Sequence, residues 1–205
     1  MSKNQEKDPA RGESLYDLWG RRSVNFEIDL EEKVIRRIAD YGSGSNSYTS
    51  AKGFYLGAGY EVFILAFFIG LYENKRRPID GEKKTFGYPI QNWGNMERRG
   101  LRKPYGKLRD YIFAACIART DIDLMDLERG TLPANVAVSS LINTMEEYAN
   151  FGLHRLLDIL EEDKYYFSSN NSFLQIFLPL FQSMNMNGEE VCEEKSVSDK
   201  PEPLD

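Results

Sequence analysis

The sequence predicts a mainly α-helical protein: a single helical domain of five or six helices with one N-terminal strand or hairpin and an irregular basic excursion over residues 75–107. Apolar residues recur at helical spacing through most of the chain, and a strand-like alternation occurs once. Hydrophobic residues make up 41% of the 205 residues, enough for one substantial core. We therefore expect one domain over residues 15–182, between disordered tails at residues 1–14 and 183–205.

The one alternating segment lies near the N-terminus, after a short apolar cluster at residues 15–19 that is expected to form an anchoring turn. Val24, Phe26 and Ile28 alternate with polar residues, which is the period of a half-buried strand. A strand without a partner is unstable. It must therefore pair with another copy or with an unrecognised strand in the irregular middle of the chain.

Two helices are predicted on either side of a Gly- and Ser-rich loop at residues 42–53. Asp29 and Glu32 have the spacing of a capping box, and apolar positions within residues 30–41 share one helical face. Residues 60–73 are apolar nearly all round, which predicts the central core helix.

The C-terminal half contains the remaining helices. Pro104 opens an amphipathic helix, and residues 120–130 form an acidic turn whose pattern fails the EF-hand test for a metal loop. Pro133 starts the longest periodic region, which is either one long helix or two helices broken near residues 150–152. A short apolar helix is expected at residues 172–181.

Charge is distributed unevenly along the chain, whose formal net charge is −6. Residues 75–109, called the basic segment below, contain eleven Lys or Arg against three acidic residues. Residues 110–205 contain six basic against eighteen acidic residues. Such asymmetry favours a surface that binds a polyanion. It is equally consistent with a basic segment that lies across the acidic C-terminal half.

The basic segment also has the two ingredients of nucleic-acid contact. Cations displace counterions from phosphates, and aromatic faces stack on bases. The acidic overall charge favours a component of a larger assembly over a stand-alone DNA-binding protein. The residues predicted to bind nucleic acid or another anionic partner are Arg76, Arg77, Trp93, Arg98, Arg99, Arg102, Lys103 and Lys107.

Residues for metal or nucleophilic chemistry are scarce. His154 is the only histidine, and Cys116 and Cys192 are the only cysteines. We therefore expect no metal site and no cofactor, and His154 lies beside leucines without a nucleophile motif. The alternative is a helical enzyme of unknown reaction that uses carboxylates such as Glu61 and Asp110.

The sequence predicts a cytoplasmic protein that does not enter a membrane. Two cysteines make no disulfide framework, and the N-terminal residues lack an apolar signal segment. The most hydrophobic run, residues 62–72, is much shorter than the ~20 residues that span a bilayer.

The order of strand, amphipathic helix, loop and core helix over residues 23–74 resembles a ribbon-helix-helix unit. It is also similar to the small DndE-type accessory proteins of bacterial DNA sulfur modification. The resemblance implies that two copies pair their strands and lay them in the major groove. The outward strand positions would be Ser23, Asn25 and Glu27, with Asn25 as a base-edge contact.

These observations predict a non-catalytic accessory or adaptor subunit of a prokaryotic complex. Its partner would be nucleic acid or an acidic protein, bound through residues 75–109. A structural homodimer, in which the basic segment of one chain meets the acidic half of its twin, is a further alternative.

Overall fold

The computed structural model describes residues 13–39, 56–94, 106–169, 171–179 and 181–182. The chain divides into two units, Met1–Asp163 and Lys164–Asp205. The seven helices of the described ranges are α1 (Leu15–Gly20), α2 (a π-helical turn at Glu31–Ile35 continued by an α-helical turn at Arg36–Ile38), α3 (Gly59–Glu73), α4 (Gly106–Ala118), α5 (Leu124–Arg129), α6 (Ala134–Glu162) and α7 (residues 172–179). The two strands are β1 (Asn25–Glu27) and β2 (Lys83–Thr85). These elements confirm a mainly α class with one hairpin-like strand pair.

The centre of the first unit is the packing of α3 against α6. A Cβ added at Gly70 would lie 2.2 Å from the carbonyl oxygen of Tyr148, and one added at Gly152 would lie 1.9 Å from that of Ala66. Glycine therefore lets the two backbones approach closely. Moving along α3 from Gly70 to Ala66 corresponds to moving along α6 from Tyr148 to Gly152, so the helices are antiparallel.

The long periodic region forms one continuous helix, α6, through Asn150 and Gly152. These two residues, which could have marked a break, are both buried. Gly152 is placed there by the close contact with α3 rather than by a bend. The single-helix alternative is therefore the correct one.

Strand β1 pairs with β2 in an antiparallel two-stranded ribbon, in which Phe26 lies opposite Lys84. Of the two partners expected for β1, another copy or an unrecognised strand in the middle of the chain, the structure has the second, and that strand lies within the basic segment. The Phe26 and Phe86 rings lie 4.5 Å apart between centroids, and Phe63 of α3 meets Phe86 edge-on at 5.6 Å. One face of the ribbon therefore contributes to the apolar core.

The predicted anchoring turn is the helix α1. Ser14 and Asp17 form a capping box at its start. Trp19 is fully buried, and its ring lies 5.3 Å from that of Phe113 in α4. The cluster therefore packs on the body of the protein.

The capping box predicted at Asp29 and Glu32 is wrong. Asp29 and Leu30 are already helical, so Asp29 is not the residue before the helix, and the Glu31 N–H donates to the Ile28 carbonyl oxygen at 3.1 Å. Lys33 lies 3.4 Å from Asp29, and Arg36 lies 2.8 Å from Glu32. The two carboxylates therefore bind cations one turn further along the helix instead of backbone N–H groups.

The second unit contains a 3₁₀ turn at Tyr166–Ser168 and helix α7. The Ser172 hydroxyl donates to the carbonyl oxygens of Ser169, at 2.7 Å, and Tyr166, at 2.5 Å. The Phe167 and Phe173 rings lie 5.4 Å apart. These contacts fix the start of α7 against the turn before it.

Within the ranges that the structure describes, no helix combines the length and apolar character that crossing a membrane requires.

Candidate anionic-partner interface

The basic segment begins where α3 ends. Asn74 adopts a left-handed conformation with φ of 51°, and the N–H groups of Asn74 and Lys75 close the last turn of the helix. The backbone N–H of Arg77 then donates to the Glu147 carbonyl oxygen of α6 at 3.0 Å. The segment is thus attached to α6 from its third residue.

The first two cations of the segment bind side chains of their own chain. The guanidinium of Arg76 lies 4.8 Å from the centre of the Tyr148 ring, donates to the Arg119 carbonyl oxygen and lies 4.0 Å from Glu147. Lys75 lies 3.1 Å from Glu73. Arg76 therefore links the residue that follows α4 to α6, both of which belong to the acidic C-terminal half.

Of the two lysines in strand β2, one forms an ion pair and the other forms none with a described residue. Lys84 pairs with Glu31, whose carboxylate also lies 3.1 Å from Arg36. Glu31 is 5% exposed, and although burial raises its pKa, the hydrogen bonds from Lys84 and Arg36 outweigh burial and hold the pKa below its ordinary value. Lys83 is exposed and forms no ion pair with any described residue.

The aromatic residues of the segment divide between core and surface. Trp93 is fully buried, stacks on Tyr60 of α3 at 5.7 Å between ring centres, and donates from Nε1 to the Tyr88 carbonyl oxygen at 3.3 Å. A buried ring cannot stack on a base, so the expectation that Trp93 is part of the binding surface is wrong. Phe86 is also buried, whereas the Tyr88 side chain is 66% exposed. The tryptophan anchors the segment, and Tyr88 is the exposed ring.

Of the remaining predicted cations, two lie within the described ranges and four lie outside them. Arg77 is exposed, as is Lys107 at the start of α4, and neither forms an ion pair with another residue in the described part of the chain. Four predicted residues lie outside the described ranges: Arg98, Arg99, Arg102 and Lys103. Among the described cations of the basic segment, the exposed ones without an ion pair to a described residue are therefore Arg77, Lys83 and Lys107.

Polar contacts with α6 hold strand β1 of the ribbon in place. The Glu146 carboxylate accepts from the backbone N–H and the side-chain amide of Asn25, each at 2.8 Å. Glu27 accepts from the Asn150 amide at 2.8 Å, and its other oxygen lies 3.0 Å from Nε2 of His154. The outward exposure expected for Asn25 and Glu27 is therefore wrong, because both side chains bind α6.

Asn150 also fixes the start of the basic segment. Its amide nitrogen donates to the carbonyl oxygens of Pro78, at 2.9 Å, and Arg77, at 3.4 Å, as well as to Glu27. All three neighbours are acceptors, which settles the orientation of the amide. Asn150 is 1% exposed, so these bonds are shielded from water.

The pKa values of the two carboxylates that join the ribbon to α6, buried Glu146 and half-buried Glu27, are shifted in opposite directions. Burial raises the pKa of Glu146, and the hydrogen bonds from Asn25 offset only part of that effect. Burial also acts to raise the pKa of Glu27, but the hydrogen bonds from Asn150 and His154 together outweigh it and lower the pKa. Glu27 is accordingly a charged anchor, whereas Glu146 takes up a proton more readily than an exposed glutamate.

Sequence reasoning missed this contact. Glu146, Asn150 and His154 are four residues apart and so lie on one stripe of α6. The signal available in the sequence was that these three polar side chains recur every four residues, a spacing otherwise occupied by apolar residues in this helix. The strand that they bind could not be deduced from that spacing.

The carboxylates considered for catalysis have local structural roles. Glu61 accepts from the Gly57 backbone N–H at 2.8 Å at the start of α3, and Asp110 accepts from the Tyr16 hydroxyl at 2.8 Å. Cys116 is buried, and burial raises the pKa of its thiol to about 12, which disfavours the nucleophilic thiolate. Among the described residues, no three His, Cys, Asp or Glu side chains are grouped so as to hold a metal ion.

The acidic turn at residues 120–130 contains α5. Asp123 caps this helix, accepting from the backbone N–H groups of Met125 at 2.8 Å and Asp126 at 3.2 Å. Gly130 ends it in a left-handed conformation. Asp123 thus serves as a helix cap.

Comparison with known proteins identifies no match to this chain among family models, curated proteins or solved structures. The ribbon-helix-helix resemblance of residues 23–74 stays a prediction.

Proposed function

We propose that this protein is a non-catalytic accessory or adaptor subunit of a prokaryotic cytoplasmic complex, which binds an anionic partner through the basic segment. One observation carries the proposal. The described first part of the segment, residues 75–94, is held to the core by Trp93, Asn150 and β2, and yet Arg77 and Lys83 are exposed without an ion pair in the described part of the chain.

A backbone that is already held in place by such contacts loses less entropy when a partner binds. Cations that already bind the protein's own carboxylates, such as Lys84, are poorly available to a partner. Unpaired cations on an ordered segment remain available and raise the rate of encounter with an anion. The contrast between bound Arg76 and unbound Arg77 therefore supports a role for the segment beyond internal charge pairing.

The proposal is tested by fluorescence-anisotropy binding of labelled single- and double-stranded DNA, RNA and poly-glutamate at two salt concentrations. We expect salt-sensitive binding of at least one of these polyanions. For a nucleic acid, each phosphate-contacting cation that is removed should lower the salt slope by about one unit. A variant that combines Arg77→Gln, Lys83→Gln and Lys107→Gln should bind several-fold more weakly, and a second variant with Arg98, Arg99, Arg102 and Lys103 replaced by Ala tests the remainder of the segment.

The matched control removes three exposed cations from outside the segment that form no ion pair with a described residue, by Arg37→Gln, Arg119→Gln and Lys164→Gln. It has the same net charge as the first variant. Equal losses in the two variants would show that only total charge matters, and an absence of binding in every protein at low salt would reject the proposal.

A further inference from the structure

The two-stranded ribbon has an outer edge, on β2, whose backbone groups face away from β1. Hydrogen bonds from Phe86 N–H to the Val24 carbonyl oxygen, at 3.0 Å, and from Ile28 N–H to that of Glu82, at 2.8 Å, flank the paired residues. In an antiparallel pair, successive residues alternately face the partner strand and face away from it. Lys83 and Thr85 therefore direct their N–H and C=O groups away from β1.

These groups are free within the part of the chain that the structure describes. No backbone or side-chain group of a described residue bonds the main chain of Lys83 or Thr85, and both residues are exposed. The opposite edge of the ribbon differs, because Glu146 accepts from the outward N–H of Asn25 at 2.8 Å. One edge is thus closed by α6, and the other is open.

We propose that the open edge of β2 accepts an extended acidic peptide segment of a partner protein as an additional strand. This inference rests on the proposed function and narrows its partner to one chemical class. Strand addition uses the N–H and C=O groups of an exposed edge for affinity, and uses alternate side chains for selectivity.

The charge of the edge favours an acidic strand over a second copy of β2. Lys83 is exposed and has no ion pair with a described residue. Pairing β2 with its own copy would bring lysines together, and like charges on paired strands are destabilising. Glutamate or aspartate on the added strand would instead meet Lys83 across the pair.

The backbone pattern favours a peptide over a nucleic acid. Lys83 and Thr85 offer donors and acceptors in alternation along the strand. Phosphate oxygens can accept from the N–H groups but would leave the C=O groups without donors, whereas a peptide strand supplies both.

The edge continues beyond Thr85 with space and an exposed ring. A Cβ added at Gly87 would find no atom within 4 Å, and the Tyr88 side chain is 66% exposed. The space at Gly87 leaves room for an added strand to continue towards the exposed Tyr88 ring. Glu82, on the other side of β2, is exposed and would favour a less acidic residue at that end of the added strand.

The experiment measures binding of a fluorescein-labelled peptide that alternates Glu and Thr to the full-length protein. A second peptide carries the same side chains but has N-methyl groups on alternate residues, which removes the donors of one edge without changing charge. We expect N-methylation on the pairing edge to weaken binding by about tenfold, as the loss of one or two net hydrogen bonds predicts. Methylation of the other set of residues should have little effect.

Variants of the protein give an independent measurement. Thr85→Pro removes an outward N–H and should weaken binding of the unmodified peptide without a change in charge. Lys83→Gln should weaken binding mainly at low salt, and Arg37→Gln, which removes an exposed cation from α2, should not. If Thr85→Pro fails to fold, the comparison of the two peptides on the unaltered protein still decides the question.

The outcomes separate this inference from the proposed function. Binding that is weakened by N-methylation and by Lys83→Gln supports strand addition. Peptide binding that ignores N-methylation, or binding of nucleic acid alone, overturns strand addition and leaves the proposed function in place. An absence of binding to every polyanion and peptide overturns both.

Discussion

Glu146 stabilises the fold through its hydrogen bonds, whereas the burial of its negative charge destabilises the fold. Its oxygen accepts two hydrogen bonds from Asn25, yet burial raises the pKa of the carboxyl. A raised folded-state pKa means that the native protein binds the proton more tightly than the unfolded chain does. Stability therefore falls as pH rises from the ordinary glutamate value of 4.5 to the raised value, and the deficit remains at higher pH.

We predict that Glu146→Gln is at least as stable as the unaltered protein at neutral pH, because the amide oxygen can still accept from Asn25 and the buried charge is gone. Glu146→Ala should cost about 1–3 kcal/mol, since it leaves the Asn25 N–H without its acceptor. Urea denaturation at pH 4 and pH 7 measures both, and the advantage of Gln should be larger at pH 7. Equal losses for Gln and Ala would contradict the assignment of opposing effects.

Neighbouring cations in the basic segment have different environments that the sequence cannot distinguish. Arg76 lies over the Tyr148 ring and Arg77 is exposed, although they are adjacent and identical. Composition correctly located the charge but could not separate cations that bind their own chain from cations that are free. Composition also could not predict the environment of Trp93, because an aromatic residue among lysines and arginines can equally be buried and hold such a segment to the core.

Among the elements, the contact between α3 and α6 depends on two glycines. We predict that Gly152→Ala destabilises the protein by roughly 1–3 kcal/mol or more, because its Cβ would lie 1.9 Å from the Ala66 carbonyl oxygen and would push the helices apart. On an exposed helix the same change would stabilise by about 1 kcal/mol, since alanine is the better helix former. The sign of the change in the free energy of unfolding therefore tests the contact.

Gly87→Ala provides the control, because a Cβ at that position meets nothing within 4 Å and the change should alter stability by less than about 0.5 kcal/mol. Gly70→Ala should resemble Gly152→Ala, as its Cβ would lie 2.2 Å from the Tyr148 carbonyl oxygen. A Gly152→Ala variant that is more stable than the unaltered protein would show that the helices do not approach as described.

How far the sequence predicts each element depends on how local its cause is. The apolar core helix α3 and the periodicity of α6 follow from residue spacing, and both were predicted. The strand β2 was missed because Lys83–Thr85 has no apolar alternation and is a strand only through its pairing with β1. The contact of Glu27 with Asn150 and His154 joins residues more than a hundred positions apart, and spacing alone contains no information about it.

In the first unit as a whole, two kinds of interaction hold different layers. The helices α3 and α6 meet through apolar side chains and close backbone contact, which do not titrate. The ribbon is held to α6 by the carboxylates of Glu27 and Glu146 and to α2 by that of Glu31. The pKa values of Glu27 and Glu31 are lowered, whereas that of Glu146 is raised. The layer that presents the proposed interface is therefore the layer that depends on charge.

This division predicts that acid loosens the ribbon before the helix pair. A carboxyl with a lowered folded-state pKa contributes stability that is present above its ordinary value of 4.5 and is lost as pH falls through the folded value. The opposite effect of Glu146, whose pKa is raised, is complete once the pH has fallen to 4.5 and does not offset the loss below that value. Hydrogen exchange, corrected for its intrinsic pH dependence, should show the amides of Phe26 and Lys84 losing protection below pH 4.5 while the α3 and α6 amides around Ala66 and Tyr148 remain protected. In a Glu27→Gln, Glu31→Gln variant the ribbon should be less protected at neutral pH and should respond less to acid, because the titrating groups are gone. Simultaneous loss of protection in both layers would instead mean that the ribbon and the helix pair unfold as one cooperative unit, and that these two carboxylates do not set the stability of the ribbon separately.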